Sequence, residues 1–284
     1  MANSKPPEAL PALVDRAVQG DRRALSRLIS RVENGGTEAW SALALIYPRT
    51  GRAQIVGVTG APGTGKSTLG MQFIHSGIMQ FNQPGLILTF EEFAQQYYDD
   101  AVNFGWDFRA LEQANKLRVI MTSPEVSYSD LGGVDGRIQT MIKEIGAQRI
   151  LVDSLSHFDR LSEDPVALRG ILYGFINSLK REGLTSLLTR ESGALIGELE
   201  SPEEDVAFVA DSYLMLRYVE IESAVHKALL ILKLRGSDHA KDIRQYEITR
   251  NGIEVQSKFE GREGIMSGSP RRMADSFVEA FVRR

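Results

Sequence analysis

The chain has 284 residues, of which 43% are hydrophobic and 25% charged, an ordinary composition for a soluble globular protein of one large domain with an appendage, or of two small domains. Its formal net charge of −4 gives no electrostatic reason to expect nucleic acid as a partner. The absence of cysteine excludes thiol catalysis, disulfide bonds and thiolate metal sites.

Signals for export or membrane insertion are missing from the sequence. The polar, proline-rich start, residues 1–11, lacks the apolar core of a signal peptide. No apolar run approaches the roughly 20 residues that a membrane-spanning helix needs. We therefore expect a cytoplasmic protein without membrane contacts.

The first segment, residues 8–47, is predicted to be helical because apolar residues recur there at helical spacing. Gly20-Asp21 is typical of a helix end followed by a cap, and Gly35-Gly36-Thr37 is typical of another. The sequence Pro48-Arg49-Thr50-Gly51 ends the pattern. We expect residues 1–50 to form a helical appendage packed on the main domain.

From Ala53 onward, short apolar runs alternate with helical stretches. Five runs are typical of buried strands: residues 55–59, 85–90, 117–121, 149–153 and 185–189. Helices are predicted between them at about residues 67–80, 93–114, 134–146 and 165–182. This alternation favours an α/β fold with a mostly parallel central sheet flanked by helices on both faces.

Beyond about residue 206 the chain becomes rich in predicted strands. Three further runs cover residues 213–218, 228–234 and 244–249, and Asn251-Gly252 is typical of a hairpin turn. We assign residues 51–262 to the α/β domain and residues 263–284 to a C-terminal tail.

One motif predicts a specific chemistry, a phosphate loop between a strand and a helix. It matches G-x-x-x-x-G-K-[ST], and the expected nucleotide-binding residues are Gly60, Ala61, Pro62, Gly63, Thr64, Gly65, Lys66, Ser67 and Thr68. The glycines let backbone N–H groups surround a β-phosphate, and the helix N-terminus adds partial positive charge. Lys66 is expected to reach the β- and γ-phosphates, and the Ser67 hydroxyl to bind Mg²⁺. The motif predicts a site for a nucleoside triphosphate with magnesium, and we expect the nucleotide to be ATP.

Acidic residues close two of the predicted strands. Asp153 ends a buried run and suits the carboxylate that holds Mg²⁺ through water, although such a residue also caps turns. Glu91 and Glu92 follow the run that ends at Phe90, where a carboxylate can orient the attacking water. Taken alone, such an acidic pair is more often a solvated helix start.

Several sequence stretches carry a resemblance to a known family: Gln72-Phe73, Pro84 to Glu92, Phe104 to Asp107, Leu151 to Ser154, Leu232 to His239 and Gly264 to Pro270. From the phosphate loop to about Arg272, the chain resembles one RecA-like repeat of the KaiC-type circadian clock ATPases. The resemblance implies that Glu91 and Glu92 act with Lys66 in catalysis, within a ring that is usually a hexamer.

The resemblance also implies a role for Lys233, Arg235 and His239. Such residues project from one subunit onto the ATP of its neighbour, where Lys233 and Arg235 would neutralise charge on the γ-phosphate. Read alone, Lys233 and Arg235 lie on one face of a strand, with Leu232 and Leu234 on the other. A solvated charged strand face therefore stays an alternative.

Two departures from the clock family limit what the resemblance implies. The clock proteins have two repeats in tandem, and this chain has one. Residues 205–210 contain no hydroxyl where the second clock repeat carries its Ser and Thr autophosphorylation sites. We therefore disfavour autokinase activity and carry over no circadian role.

The N-terminal segment, about residues 8–66, resembles a different family. Four stretches carry this likeness: Val14 to Ala17, Gly20 to Leu25, Val32 to Gly35 and Tyr47 to Ala53. They are similar to the opening of the MeaB/ArgK-type GTPases, which chaperone cobalamin-dependent mutases. The guanine-reading motif Asn-Lys-x-Asp is missing, since Asn115-Lys116-Leu117-Arg118 lacks the carboxylate. The sequence is typical of a junction of two P-loop families at their shared loop.

Our leading hypothesis is a regulatory, oligomeric RecA-like ATPase whose slow hydrolysis changes the conformation of a ring and that acts on an unidentified protein partner. The alternatives are a module that binds ATP for assembly with negligible turnover, and a mutase-chaperone GTPase. A DNA recombinase is disfavoured because the candidate loop at residues 123–136 is acidic, and nucleic acid is not an expected partner.

Overall fold

The computed structural model describes residues 9–46, 53–133, 136–192, 204–236, 238–259, 262–263, 265 and 271–272. The chain divides into two compact units, Met1–Arg52 and Ala53–Arg284. The predicted tail, residues 263–284, lies almost entirely outside the described residues. None of the helices that the structure describes combines the length and the apolar composition needed to cross a bilayer.

Residues 9–46 of the first unit form three helices: α1 (Leu10–Val18), α2 (Arg22–Glu33) and α3 (Gly36–Ile46). The Asp21 side chain caps α2 by accepting from the backbone N–H groups of Arg23 and Ala24, at 2.9 and 3.1 Å. The helices share a core of their own made of Leu13, Val14, Ala24, Leu28 and Ala42. The predicted helical segment is confirmed, except that α3 begins at Gly36 rather than after a Thr37 cap.

The described part of the second unit contains a sheet of nine strands. In chain order they are β1 (Ile55–Gly60), β2 (Gly85–Thr89), β3 (Leu117–Met121), β4 (Arg149–Asp153), β5 (Thr185–Glu191), β6 (Ser212–Ile221), β7 (Ala224–Leu234), β8 (Arg244–Thr249) and β9 (Gly252–Lys258). Their spatial order is β3-β2-β4-β5-β1-β6-β7-β8-β9. The strands from β3 to β6 run parallel, and β7, β8 and β9 continue the sheet antiparallel. A separate short ladder joins β10 (Arg262–Glu263) to β11 (Arg271–Arg272).

Helices cover both faces of this sheet. They are α4 (Lys66–Phe81), α5 (Ala94–Asn103), α6 (Phe108–Gln113), α7 (Pro124–Gly132), α8 (Arg137–Ile145), α9 (Pro165–Arg181) and α10 (Glu204–Val209), with a 3₁₀ segment at Leu155–Leu161. Successive residues of β2 alternate between two cores: Leu86 and Leu88 pack with α8 and α9, and Ile87 packs with α4 and α5. A strand buried on both faces is the mark of a covered parallel sheet, so the predicted α/β class is confirmed.

Two helical stretches differ from the sequence prediction. Residues 93–114 form two helices instead of one, because Gly105 takes a left-handed φ of +73° and Asp107 caps α6. The acidic segment 123–136, predicted to be a loop, contains α7. Ser123 caps this helix and Pro124 occupies its first turn, two start signals that the prediction overlooked.

The order of the strands positions the functional site. The chain leaves β1 between β5 and β6, and the loop that follows leads directly into α4. Because β1, β2, β4 and β5 are parallel, their carboxyl ends meet at one edge of the sheet. The predicted phosphate loop begins at the end of β1, Glu91 and Glu92 follow β2, and Asp153 ends β4.

Candidate nucleotide-binding site

Glycines shape the phosphate loop for two separate reasons. Gly63 and Gly65 have φ of +77° and +92°, in the left-handed region that side chains disfavour. A Cβ on Gly60 would lie 2.2 Å from the carbonyl oxygen of Leu216 in β6. The loop therefore needs glycine both for its turn and for its close approach to the neighbouring strand.

The antiparallel strands support the loop from behind. Tyr246 of β8 is 1% exposed, and its hydroxyl donates to the Thr64 carbonyl oxygen at 2.5 Å. Burial raises the pKa of Tyr246, so this hydroxyl stays a donor. A Cβ on Gly65 would lie 2.7 Å from the Ile248 side chain, which shows how closely β8 packs on the loop. Sequence reasoning missed Tyr246, since nothing local links it to a loop so far away along the chain.

Lys66 lies inside the curve of the loop. It is 7% exposed, and its ammonium donates to the carbonyl oxygens of Gly60 and Ala61 at 2.8 and 3.0 Å. Burial lowers the pKa of Lys66, and the charges of Glu191 and Asp153 act in the opposite direction. The Lys66 ammonium is thus held within the loop, where a β- or γ-phosphate could replace the two carbonyl oxygens as its hydrogen-bond acceptor.

Asp153 is held by hydroxyl groups on both carboxylate oxygens. It is 9% exposed; Oδ1 accepts from the Thr189 hydroxyl at 2.5 Å, and Oδ2 accepts from the Tyr97 hydroxyl at 2.9 Å. The following turn is capped by Ser154, whose side chain accepts from the Ser156 N–H. The turn-capping alternative for Asp153 therefore finds no support in its bonding.

The oxygens near Asp153 fit a magnesium ion. Ser67 and Asp153 line the same cavity, and Mg²⁺ prefers hard oxygen ligands such as a hydroxyl and a carboxylate, usually with several waters retained. Each carboxylate oxygen of Asp153 accepts one hydrogen bond from a hydroxyl and keeps a second lone pair, which can accept a hydrogen bond from a metal-bound water.

Glu91 and Glu92 also line this cavity. Helix α5 begins only at Ala94 and has no acidic residue in its first turn, so the pair does not form a helix start. Glu91 Oε2 lies 3.2 Å from His157 Nε2. The pKa of Glu92 is raised, first by burial and then by the nearby charge of Asp153. The two carboxylates thus have different surroundings.

The cavity itself measures about 350 Å³, within the roughly 300–1,000 Å³ of small-molecule sites. The predicted residues that line it are Pro62, Gly63, Gly65, Lys66, Ser67, Thr68, Glu91, Glu92 and Asp153. Residues that the sequence did not single out are Thr89, Tyr97, Asp100, Ser154, Glu191 and Ile248. The structure therefore brings together the phosphate loop and all three predicted carboxylates.

The three residues expected to act across a subunit interface lie elsewhere. Lys233, Arg235 and His239 are not among the described residues that line the cavity. Lys233 donates to the Ala207 carbonyl oxygen at 2.9 Å, and Arg235, whose side chain is 63% exposed, lies 3.5 Å from Asp211. The expectation that Lys233 and Arg235 share a strand face is wrong in one respect, because β7 ends at Leu234 and Arg235 follows it.

Comparisons with known proteins give one consistent family. The family model "ATPase: KaiC" matches residues 45–260. The circadian clock protein KaiC3 of Synechocystis sp. is 31% identical over 228 residues, which is 80% of this chain and 44% of that protein. The circadian clock oscillator protein KaiC of Nostoc sp. is 34% identical over 223 residues, 78% of this chain and 42% of that protein, and the KaiC of Thermostichus vulcanus gives the same values. The chain therefore spans less than half the length of these relatives.

Proposed function

The chain belongs to the KaiC family of RecA-like ATPases, and from this premise we propose that it binds ATP with magnesium and hydrolyses it as one subunit of a ring. One observation carries the proposal. The lysine of the phosphate loop, the oxygen pair suited to Mg²⁺ and two glutamates all line a single cavity.

Each group has a distinct task in this proposal. The loop N–H groups and Lys66 bind the β- and γ-phosphates, and Ser67 with Asp153 holds the magnesium ion. A bound Mg²⁺ supplies positive charge to the phosphate oxygens. Glu91 and Glu92 orient a water molecule, and one of them accepts its proton as the water oxygen bonds to the γ-phosphorus and the bond from that phosphorus to the ADP oxygen breaks.

The charge of the cavity supports a ring. Its described lining contains five carboxylates (Glu91, Glu92, Asp100, Asp153 and Glu191) and a single cationic side chain, Lys66. A nucleoside triphosphate adds further negative charge, which Mg²⁺ offsets only in part. We propose that Lys233 and Arg235 of a neighbouring subunit supply the missing positive charge, with His239 beside them, in a homo-oligomer of hexameric type.

The direct test measures mass and turnover together. We expect the molar mass of the purified chain to rise to that of a ring when ATP and Mg²⁺ are added. Phosphate release per subunit should also rise with protein concentration, because the site is complete only between subunits. A chain that stays monomeric and hydrolyses ATP at a constant specific rate would contradict the proposed ring. The proposed ATPase activity would still stand.

Two other functions remain distinguishable. A module that binds ATP for assembly would form the ring and release no phosphate above a blank. The mutase-chaperone GTPase is favoured only by the N-terminal helices, most of which precede the family match that begins at residue 45. Asn115-Lys116-Leu117-Arg118 lacks the carboxylate of a guanine-reading motif and the body of the chain matches the KaiC family, so we propose that ATP outcompetes GTP in binding.

The wider role is also part of the proposal. Slow hydrolysis would time a conformational change of the ring in the cytoplasm, read by a protein partner. Autokinase activity is not proposed, because residues 205–210 supply no hydroxyl acceptor.

A further inference from the structure

Tyr97 is a buried tyrosine that lines the candidate nucleotide cavity. It lies in the first turn of α5, and its ring is 2% exposed within the core formed by α4, α5 and the sheet. Tyr97 is among the residues that line the cavity, and its hydroxyl donates to Asp153 Oδ2 at 2.9 Å. A hydroxyl in a core commonly needs one partner, and this one faces the carboxylate that suits the metal.

Lys66 is a second possible partner for the Asp153 carboxylate, in competition with the hydroxyl of Tyr97. The positive charge of Lys66 and the negative charge of Glu92 both lie near enough to interact with the charge of Asp153. A direct ion pair between Asp153 and Lys66 would occupy both the metal carboxylate and the phosphate-binding ammonium. Instead, Lys66 bonds to loop carbonyls, and Asp153 bonds to the hydroxyls of Tyr97 and Thr189.

We propose that Tyr97 is a positioning residue that holds the Asp153 carboxylate in the orientation in which it binds Mg²⁺ and away from Lys66. This inference rests on the proposed function of the cavity. The hydroxyl satisfies one lone pair of Oδ2, and the rigid ring in the core fixes the direction of the bond. Thr189 does the same for Oδ1, so the carboxylate cannot rotate without breaking two buried hydrogen bonds.

The test separates metal binding from nucleotide binding. Tyr97→Phe keeps the ring and removes the hydroxyl. We expect its affinity for a fluorescent ATP analogue in EDTA to stay within twofold of the parent. The affinity of the nucleotide complex for Mn²⁺, measured by electron paramagnetic resonance with a non-hydrolysable ATP analogue, should fall about 10- to 100-fold, as for other groups that orient metal ligands.

Tyr98→Phe is the matched control. It makes the same chemical change one residue later, where the hydroxyl donates to Glu112 at 2.5 Å and does not line the cavity. Mn²⁺ affinity should be unchanged in this variant. Thr189→Val offers a second route, since it removes the donor to the other carboxylate oxygen and should lower Mn²⁺ affinity in the same direction.

Each outcome has one meaning. A Tyr97→Phe protein that binds nucleotide in EDTA and binds Mn²⁺ with the affinity of the parent overturns the role of Tyr97 alone. A parent protein that binds neither nucleotide nor Mn²⁺ overturns the proposed function of the cavity. A loss of nucleotide binding in EDTA equal to the loss of Mn²⁺ binding shows that Tyr97 only stabilises the fold, and this too contradicts the proposal.

Discussion

The charged residues in two regions of the same sheet have different surroundings. At the carboxyl ends of β1, β2, β4 and β5, side chains far apart in sequence bond to each other around one cavity, as Asp153 does with Tyr97 and Thr189. At the end of β7, Lys233 bonds to a backbone carbonyl and Arg235 lies largely in solvent. The residues of the first region line one cavity, and Lys233 and Arg235 are not among the described residues that line it.

This contrast separates two kinds of functional residue. A group that binds its ligand within one chain is already oriented by buried neighbours. In our proposal Arg235 serves a neighbouring subunit, and within one chain its side chain is 63% exposed. The variants below test whether the two regions form one active site.

The largest effect is expected in the cavity. Lys66→Ala should abolish nucleotide binding or hydrolysis, because no other cation lies among the described residues of the lining. Titration with a fluorescent ATP analogue and a phosphate-release assay measure both. Lys116→Ala, which removes a lysine bonded to Asn82 outside the cavity, should behave like the parent. Parent-like binding and turnover in the Lys66 variant would refute the site.

The second effect tests the end of β7. Arg235→Ala should keep ATP binding and lower turnover about 10³- to 10⁵-fold, the range for an arginine that stabilises phosphoryl transfer. The exposed ion pair with Asp211 is worth at most about 1 kcal/mol, so the fold should persist. Arg109→Ala, another exposed arginine, is the control and should leave turnover unchanged.

Mixing subunits distinguishes action on a neighbour from action within the chain. A mixture of Lys66→Ala and Arg235→Ala subunits should regain activity, because some interfaces then pair an intact loop with an intact arginine. No recovery at any mixing ratio would show that Arg235 acts within its own chain or lies on a solvated surface.

The third effect concerns the carboxylate pair. Glu91→Gln combined with Glu92→Gln should leave ATP binding intact and lower turnover about 10²- to 10⁴-fold, since the water loses its orienting base. Binding and single-turnover assays separate the two steps. Unchanged turnover would mean that the pair has no part in the chemistry, although it lines the cavity.

The pH dependence of Glu92 sharpens this prediction. Burial raises the pKa of Glu92 above the ordinary 4.5, so this carboxylate takes up a proton at a higher pH than an ordinary glutamate does. As the pH falls, turnover should therefore decline earlier than for an ordinary glutamate, and Glu92→Gln should lose this dependence.

The same pKa shift has a stability consequence of known sign. The ionised carboxylate destabilises the fold as the pH rises above 4.5, so Glu92→Gln should be slightly more stable than the parent at neutral pH. This difference should vanish below pH 4.5. Thermal unfolding across pH checks it, and a less stable variant at neutral pH would contradict the assignment.

The smallest effect tests the support of the loop. Tyr246→Phe removes the hydrogen bond to the Thr64 carbonyl and should cost about 1 kcal/mol of stability, or roughly 2–4 °C in Tm. The loss of ATP affinity should be smaller than in the Lys66→Ala variant, because the loop keeps its glycines and its lysine. Tyr98→Phe serves as a control with an intact loop. A Tyr246 variant as stable as the parent would show that water replaces the bond.

Local sequence signals predicted much of the fold. The runs at residues 117–121 and 149–153 became strands with the predicted bounds, because each is a short segment rich in apolar residues that follows a predicted helix. Helix α7 was missed because its polar residues hide the helical period, although Ser123 and Pro124 mark its start. The break at Gly105 was missed because apolar residues continue on both sides of it.

The residues of the candidate site also fall into two groups, those that local sequence patterns predict and those that only the packing reveals. The phosphate loop and the strand-ending Asp153 have their own local patterns and could be predicted. Tyr97 and Thr189 could not, because their roles arise only when the fold brings side chains of α5 and β5 to Asp153 at the end of β4. A tyrosine in an amphipathic helix is usually a core residue, and only the structure shows its hydroxyl facing a carboxylate.

The support of the phosphate loop by β8 has a consequence for how the protein is synthesised. Thr64 and Tyr246 are 182 residues apart, so the loop leaves the ribosome long before its backing strand exists. Contacts of such separation form late and slowly, because a long stretch of chain must first be ordered. A nascent chain halted before β8 would carry the whole motif and still lack the surface against which that motif takes its shape.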